Sequence, residues 1–144
     1  MNQDKINNES ICLSEIKVIY ERNDTSVEEY EETFIHWQPP YDLYVIDEKI
    51  YIIVELAGVD VKNITVRISQ NYMTISGIKK PLIDYKKSKG RNIVFHNLEI
   101  SYGFFSRRIE FPLPVDPTCG DYRMEQGVLT IKLPVLKEHV IPIE

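Results

Sequence analysis

The sequence predicts an all-β protein, an antiparallel sandwich of two packed sheets, and two observations carry this prediction. Seven to nine short segments rich in β-branched and aromatic residues follow one another between residues 41 and 134. Turns marked by glycine, proline or asparagine separate these segments, and no long helical stretch lies among them. A parallel sheet with crossover helices is therefore disfavoured, and an immunoglobulin-like antiparallel sandwich is expected.

The clearest strand covers residues 127–134. Leu129, Ile131 and Leu133 alternate there with polar residues, which is the period of two expected of a strand with one buried face. Residues 64–68 alternate in the same strict way. Both segments are therefore expected to contribute one face to the core.

The other elements are predicted from local composition. Gly58 can take positive φ in a turn, and residues 61–63 are expected to form a short helical turn. Residues 77–90 are polar and contain many lysines, which indicates a long loop, and loops of this length are usually functional or mobile. The remaining strands are expected at 41–46, 49–56, 72–76, 93–95, 104–111 and 122–124.

Composition and charge limit the possible functions. The chain has 144 residues, 43% of them hydrophobic and 27% charged, as in an ordinary globular domain with extensions. A net charge of −5 disfavours nucleic-acid binding, and no apolar run reaches the ~20 residues that span a bilayer. The polar first ten residues do not resemble a signal peptide, so a cytoplasmic location is expected. Two distant cysteines, Cys12 and Cys119, are then expected to be free thiols.

Patterns typical of enzymes are missing from the sequence. His36, His96 and His139 have no cysteine or carboxylate at the spacing of a metal site. A glycine-rich phosphate loop, a nucleophile elbow and a Cys-x-x-Cys motif are also absent. We therefore expect a protein that is not an enzyme and that requires no cofactor or metal.

Residues 1–36 differ in character from the rest and are expected to form a variable arm before the sandwich domain at residues 37–134. Two interpretations remain open for this arm: weak amphipathic helices, or a tail without fixed structure. Pro39 and Pro40 mark its end, since proline stops a helix. The apolar residues of the arm include Cys12, Ile16, Ile19, Tyr20, Tyr30 and Phe34, which stand at roughly helical spacings.

Residues 135–144 form a C-terminal extension that ends in an apolar tag, Ile141-Pro142-Ile143. In an extended segment the two isoleucines project to the same side, and the proline reduces the entropy lost on binding. Such a tag can lie along a sheet edge and fill two apolar pockets. The alternative is an apolar terminus folded onto its own domain.

Six pieces of this chain, in the same order and spacing across residues 37–144, resemble the small heat-shock proteins built on an α-crystallin domain. Tyr122 departs from the family pattern, in which alanine is usual at this position. The matching pieces are residues 39–42, 54–59, 99–107 and 109–112, the strand at 127–134 and the terminal Ile-x-Ile.

The resemblance implies an ATP-independent holdase of the stress response. Such a protein binds partly unfolded clients, prevents their aggregation and passes them to ATP-driven refolding chaperones. It also implies dimers that assemble into larger homo-oligomers, and it implies that the first 36 residues bind clients. The client-binding residues of the arm would then be Cys12, Ile16, Ile19, Tyr20, Tyr30 and Phe34. In the bacterial and plant type the dimer forms by exchange of a loop-borne strand, which here implies an interface of Ile93, Val94, Phe95, His96 and Arg107. The tag is then expected to dock in a neighbour's groove lined by Ile64, Val66, Ile68, Tyr122 and Met124.

One alternative of a different class is a monomeric CS-type co-chaperone or adaptor domain with the same sandwich. An adaptor needs neither the terminal Ile-x-Ile nor the long loop, so both features favour the holdase.

Overall fold

The structure is a computed structural model that describes residues 16–20 and 36–137. Two four-stranded sheets pack face to face, with strand orders β1-β4-β5-β6 and β2-β3-β8-β7. The predicted antiparallel sandwich is confirmed. The eight strands in this part of the chain are β1 (Lys17–Tyr20), β2 (Tyr41–Ile46), β3 (Lys49–Glu55), β4 (Ile64–Ile68), β5 (Tyr72–Lys79), β6 (Gly103–Glu110), β7 (Asp121–Glu125) and β8 (Val128–Pro134).

The centre of one sheet is the β3–β8 pair, as the alternating sequence of β8 predicts. Leu129, Ile131 and Leu133 are fully buried, and they lie opposite Val54, Ile52 and Ile50 of β3. Burial of each such side chain contributes about 1.5–3 kcal/mol. This pair therefore supplies a large share of the apolar core.

The β3–β4 connection follows the predicted turn chemistry. Gly58 has a φ of 78°, and residues 61–63 form one turn of 3-10 helix. The Asp60 carboxylate caps that turn by accepting a hydrogen bond from the Lys62 backbone N–H at 3.1 Å. This capped turn leads directly into β4.

Strand β5 continues beyond the predicted end at Ser76, so the long loop begins after Lys79 rather than at Gly77. Gly77 lies inside the strand opposite Phe105 of β6. A Cβ atom there would collide with the backbone carbonyl of Asn63 and would lie 2.7 Å from the Phe105 ring. The glycine permits close approach within the sheet and does not end the strand.

Residues 36 and 37 attach the chain to the outer edge of β6. The His36 Nδ1 accepts a hydrogen bond from the Phe104 backbone N–H at 3.0 Å. The Trp37 indole N–H donates to the Gly103 carbonyl at 3.1 Å, and its ring packs against Phe105 with centroids 5.1 Å apart. Residues 36 and 37 thus anchor the chain to the edge of β6.

The helical interpretation of the arm is wrong for residues 16–20, which form a bridge and the strand β1. β1 pairs with β4 in parallel, the one parallel pairing among the described strands. The physical reason is that Val18, Ile19 and Tyr20 favour strands, while the edge of β4 offers unpaired backbone groups. Pairing with β4 therefore decides the conformation of this segment, although its apolar residues also stand at helical spacing.

Residues 93–95 form no strand within this chain, contrary to the expectation from their β-branched sequence. A strand needs another strand to pair with, and residues 93–95 join neither of the two sheets in the described part of the chain. The exposed residues 91–100 lie outside regular structure.

Candidate functional site

The five residues predicted to line a docking groove lie on two strands of opposite sheets, β4 and β7. Ile64, Val66 and Ile68 all turn their side chains into the core from β4. Across from them, Tyr122 of β7 is buried, and Met124 packs partly buried against the same cluster. All five predicted groove residues therefore belong to one apolar cluster.

The position beside β4, where the tag is predicted to dock, is occupied by the chain's own β1. Ile16 and Val18 are 1% and 0% exposed and belong to the same core cluster. Tyr20 packs against that cluster and lies close enough to Tyr122 to influence its ionisation. The arm therefore contributes to the wall of the sandwich at residues 16–20.

Tyr122 fills the β7 side of the groove. Its ring lies against Gly120, where an added Cβ atom would be 2.6 Å from the Tyr122 hydroxyl oxygen. That hydroxyl is buried and has no hydrogen-bond partner among the residues that the structure describes. Burial, and secondarily Tyr20, raises the pKa of Tyr122 well above its usual value of 10.0. A small residue here would leave space that the tyrosine ring now fills.

A second candidate surface is the outer edge of β2. Among the described strands, β2 pairs only with β3, so its other edge is open. Three consecutive residues at its end, Tyr44, Val45 and Ile46, are 41–51% exposed. An open strand edge with exposed apolar side chains is a template for pairing with another chain.

The loop between β5 and β6 carries the complementary apolar residues. The predicted interface residues Ile93 and Phe95 are partly exposed, Val94 is 74% exposed, and His96 is also exposed. Leu82, Leu98 and Ile100 add further exposed apolar surface along the same loop. Within one chain, the loop and the β2 edge both present unusual apolar exposure.

Arg107 of β6 lies beside β2 of the other sheet. Its guanidinium carbon is 4.7 Å from the centroid of the Tyr41 ring, a cation–π contact between β6 and β2. The side chain is half-buried. Sequence reasoning singled out the arginine but missed its aromatic partner, since no local pattern links residues 41 and 107.

Several predicted site residues lie outside the described part of the chain. These are the tag residues Ile141, Pro142 and Ile143, and Cys12, Tyr30 and Phe34 of the arm. Cys119 is exposed and is a free thiol.

A search of residues 16–20 and 36–137 finds no group of three or more histidine, cysteine or acidic side chains placed to hold a metal ion. In the same residues, no helix has the length and apolar character needed to cross a membrane.

Two four-stranded sheets with these strand orders define a β-sandwich of the α-crystallin type. Residues 42–144 match the family model described as "Hsp20/alpha crystallin family". The chain therefore belongs to the Hsp20/α-crystallin family, as the resemblance of its sequence indicated.

A curated relative is "Small heat shock protein C2" from Rickettsia felis, 32% identical over 96 residues. The matched region covers 67% of this chain and 59% of the relative, so the chain spans less than two thirds of that protein.

Solved structures agree on the fold. "HSP18.5 from E. histolytica" is 26% identical, with a TM-score of 0.60, over 75% of this chain and 98% of that one. "Heat shock protein 16.0 from Schizosaccharomyces pombe" has a TM-score of 0.62 at 23% identity, over 80% of this chain and 81% of that one, a likeness in fold alone.

Proposed function

We propose that this protein is an ATP-independent holdase, a chaperone that binds partly unfolded proteins and prevents their aggregation. The observation that carries the proposal is the family match over residues 42–144. A holdase needs no chemistry on its client, only apolar surface that competes with the client's own tendency to associate. Clients held in this way would pass to ATP-driven refolding chaperones, and the location would be cytoplasmic.

Self-association is the second part of the proposal. The loop segment Ile93–His96 of one copy would pair with the open edge of β2 in a second copy. Val94 is 74% exposed in the single chain, which leaves it available for such a contact. Arg107 and Tyr41 would lie beside this junction. Many weak apolar contacts on the resulting oligomer bind a client through avidity.

The two chain ends complete the assembly. Ile141-Pro142-Ile143 would dock in the groove between β4 and β7 of a neighbouring domain and join dimers into larger oligomers. Cys12, Tyr30 and Phe34 of the arm would contact clients. Ile16, Ile19 and Tyr20 could join them only after leaving the sandwich, because Ile16 and Ile19 are buried there and Tyr20 packs against its core.

The direct test of the holdase is light scattering from a heat-labile enzyme, warmed with and without this protein in the absence of ATP. We expect suppression of the scattering at about equal subunit concentrations. A matched control is an unrelated globular protein of similar mass. Scattering that rises equally fast in both samples would remove the holdase proposal.

The self-association is tested by mass measurement on Val94→Asp. The exposed position makes the change harmless to the single chain, whereas a carboxylate buried between two copies is costly. Lys80→Asp, at an exposed site where the loop begins, introduces the same side chain as a control. We expect Val94→Asp alone to shift the protein toward monomers. A wild-type protein that is already a monomer would instead indicate the adaptor class.

A further inference from the structure

Ile16 and Val18 present the same geometry as the tag, two branched aliphatic residues separated by one position. In β1 the exposed Lys17 lies between them, and both aliphatic side chains point into the core. Val18 lies opposite Val66 in the parallel register, which continues backward to set Ile16 beside Ile64. The chain thus already fills its own groove with an Ile-x-Val pair.

Only one strand can occupy this position. The backbone groups on one edge of β4 pair with β5 over Ile64–Ile68. The other edge pairs with β1 over Thr65–Ile68. Since a strand has two edges, no edge of β4 remains for another segment while β1 is in place.

We propose that β1 is an internal mask of the groove, and that Ile141-Pro142-Ile143 of a second copy binds by displacing it. This inference rests on the proposed docking of the tag. Displacement returns Ile16, Ile19 and Tyr20 to solvent, so each tag that docks frees apolar side chains of the arm. Assembly through the groove and exposure of the arm are then one coupled equilibrium.

The geometry of the chain makes such an exchange feasible. β1 lies at one edge of its sheet, and Trp37 bridges to Phe105 on β6, at the opposite edge. The distance across four strand spacings is about 19 Å, while residues 21–35 can span on the order of 50 Å when extended. The connection is long enough to let β1 leave and return without disturbing the rest of the sandwich.

The small number of pairings made by β1 also favours its displacement. β1 pairs through four residues on one side only, whereas β4 pairs on both sides. Short edge elements with few pairings open at lower free energy than central strands. A tethered segment has an effective concentration in the millimolar range, so a tag from outside competes well only where tags are locally abundant, as within an oligomer.

A reversible disulfide tests the mask without removing any core side chain. Lys17 and Thr65 are register partners on the outer face of β1 and β4. Neighbouring strands lie ~4.8 Å apart, within the Cα separation that a disulfide accepts. The test protein is the full chain with Lys17→Cys and Thr65→Cys, which can form the disulfide. It also carries Cys12→Ser and Cys119→Ser, which remove the other thiols. Ile141→Ser and Ile143→Ser disable its own tag.

The probe is a fluorescent peptide with the sequence of residues 136–144, and binding is followed by anisotropy. We expect the oxidised protein to bind the peptide at least tenfold more weakly than the reduced protein, with full recovery after reduction. Equal measurable affinity in the two redox states overturns the mask. Failure of the peptide to bind even the chain in which Ile16→Ser and Val18→Ser release β1 also overturns it.

A second variant releases the mask instead of locking it. In a chain with the same disabled tag, Ile16→Ser and Val18→Ser should raise peptide affinity at least tenfold. Lys17→Ser, on the exposed face of the same strand, is the matched control and should leave affinity unchanged. Circular dichroism checks that each variant keeps its sheet content.

The outcomes separate this inference from the holdase proposal. If the disulfide controls peptide binding but the wild-type protein fails to suppress aggregation, the mask stands and the holdase fails. If aggregation is suppressed while the oxidised and reduced proteins bind the peptide with equal affinity, the holdase proposal stands and the mask is overturned.

Discussion

Val18 and Val66 lie opposite each other in parallel strands, and neither side chain is exposed to solvent. Val18 belongs to a segment that the sequence predicts to be part of the variable arm. Val66 belongs to β4, an inner strand of its sheet. Their pairing closes the groove between β4 and β7. The arm is therefore a structural part of the fold at this point.

Val18→Ser should weaken this closure. Loss of a buried valine costs about 1.5–3 kcal/mol, while Lys17→Ser on the same strand should change stability by less than about 0.5 kcal/mol. Hydrogen exchange gives the sharper measurement, because β4 amides directed at β1 should lose protection only in Val18→Ser. Unchanged protection in both variants would contradict the parallel pairing.

Replacement of the tag isoleucines should reduce the size of the assembly. Ile141→Ala with Ile143→Ala removes both apolar contacts of the proposed tag, so the oligomer should shrink toward dimers while the sandwich stays folded. Mass measurement together with circular dichroism checks this. Lys137→Ala, an exposed change in the same extension, is the control, and an unchanged mass in the double variant would count against the tag.

Tyr122→Phe should stabilise the protein. The buried hydroxyl has no partner among the described residues, and an unsatisfied buried hydroxyl costs about 1–3 kcal/mol. Removal of the oxygen keeps the ring that fills the space beside Gly120. Urea denaturation measures the change, with the more exposed Tyr44→Phe as the comparison. A loss of stability in Tyr122→Phe would reveal a hydrogen bond to a segment outside the described residues.

The same tyrosine predicts a decline of stability in alkali. Burial, with a further contribution from Tyr20, raises the pKa of Tyr122 above 10.0 in the folded state. The unfolded state therefore loses this proton first as the pH rises. The stability contribution of Tyr122 is intact below about pH 10 and is lost as the pH rises toward the folded value. Denaturation midpoints across this range should fall more steeply for the wild type than for Tyr122→Phe, and parallel curves would refute the assignment.

Gly77→Ala should be strongly destabilising because the new Cβ atom collides with the Asn63 carbonyl and the Phe105 ring. Forced overpacking of this kind costs about 1–3 kcal/mol. Thermal denaturation measures the loss, and Ser76→Ala on the same strand is the control. Equal melting temperatures for the two variants would mean that β4 and β5 are less closely apposed than described.

Local sequence predicts most of the central sandwich. The alternation at Leu129, Ile131 and Leu133 specified which face of β8 is buried, because a strand has a period of two whatever it packs against. The turn at Gly58 and the helical turn after it were also predictable, since they depend on φ preferences and on a cap by Asp60.

The predictions from local sequence are wrong where contacts with residues distant in the sequence determine the structure. The sequence predicts that the loop begins at Gly77, but Gly77 lies inside β5, where the missing Cβ atom leaves room for the Phe105 ring of a distant strand. Residues 93–95 have the composition of a strand, yet they join neither of the two sheets that the structure describes. The five groove residues were predicted from the family resemblance and do come together, but their occupant was not foreseen.

By itself, the sequence determined the fold class and the buried faces of the strands, because periodicity and turn chemistry are local. It indicated the family in a different way, through the order and spacing of six pieces that resemble known members. Tertiary structure alone decided that Lys17–Tyr20 is a strand and that it pairs with the edge of β4. Residues 16–20, with both helical spacing and strand composition, carry no decisive local preference. The strand conformation is selected over the helix because the edge of β4 provides backbone hydrogen bonds and allows Ile16 and Val18 to be buried in the core.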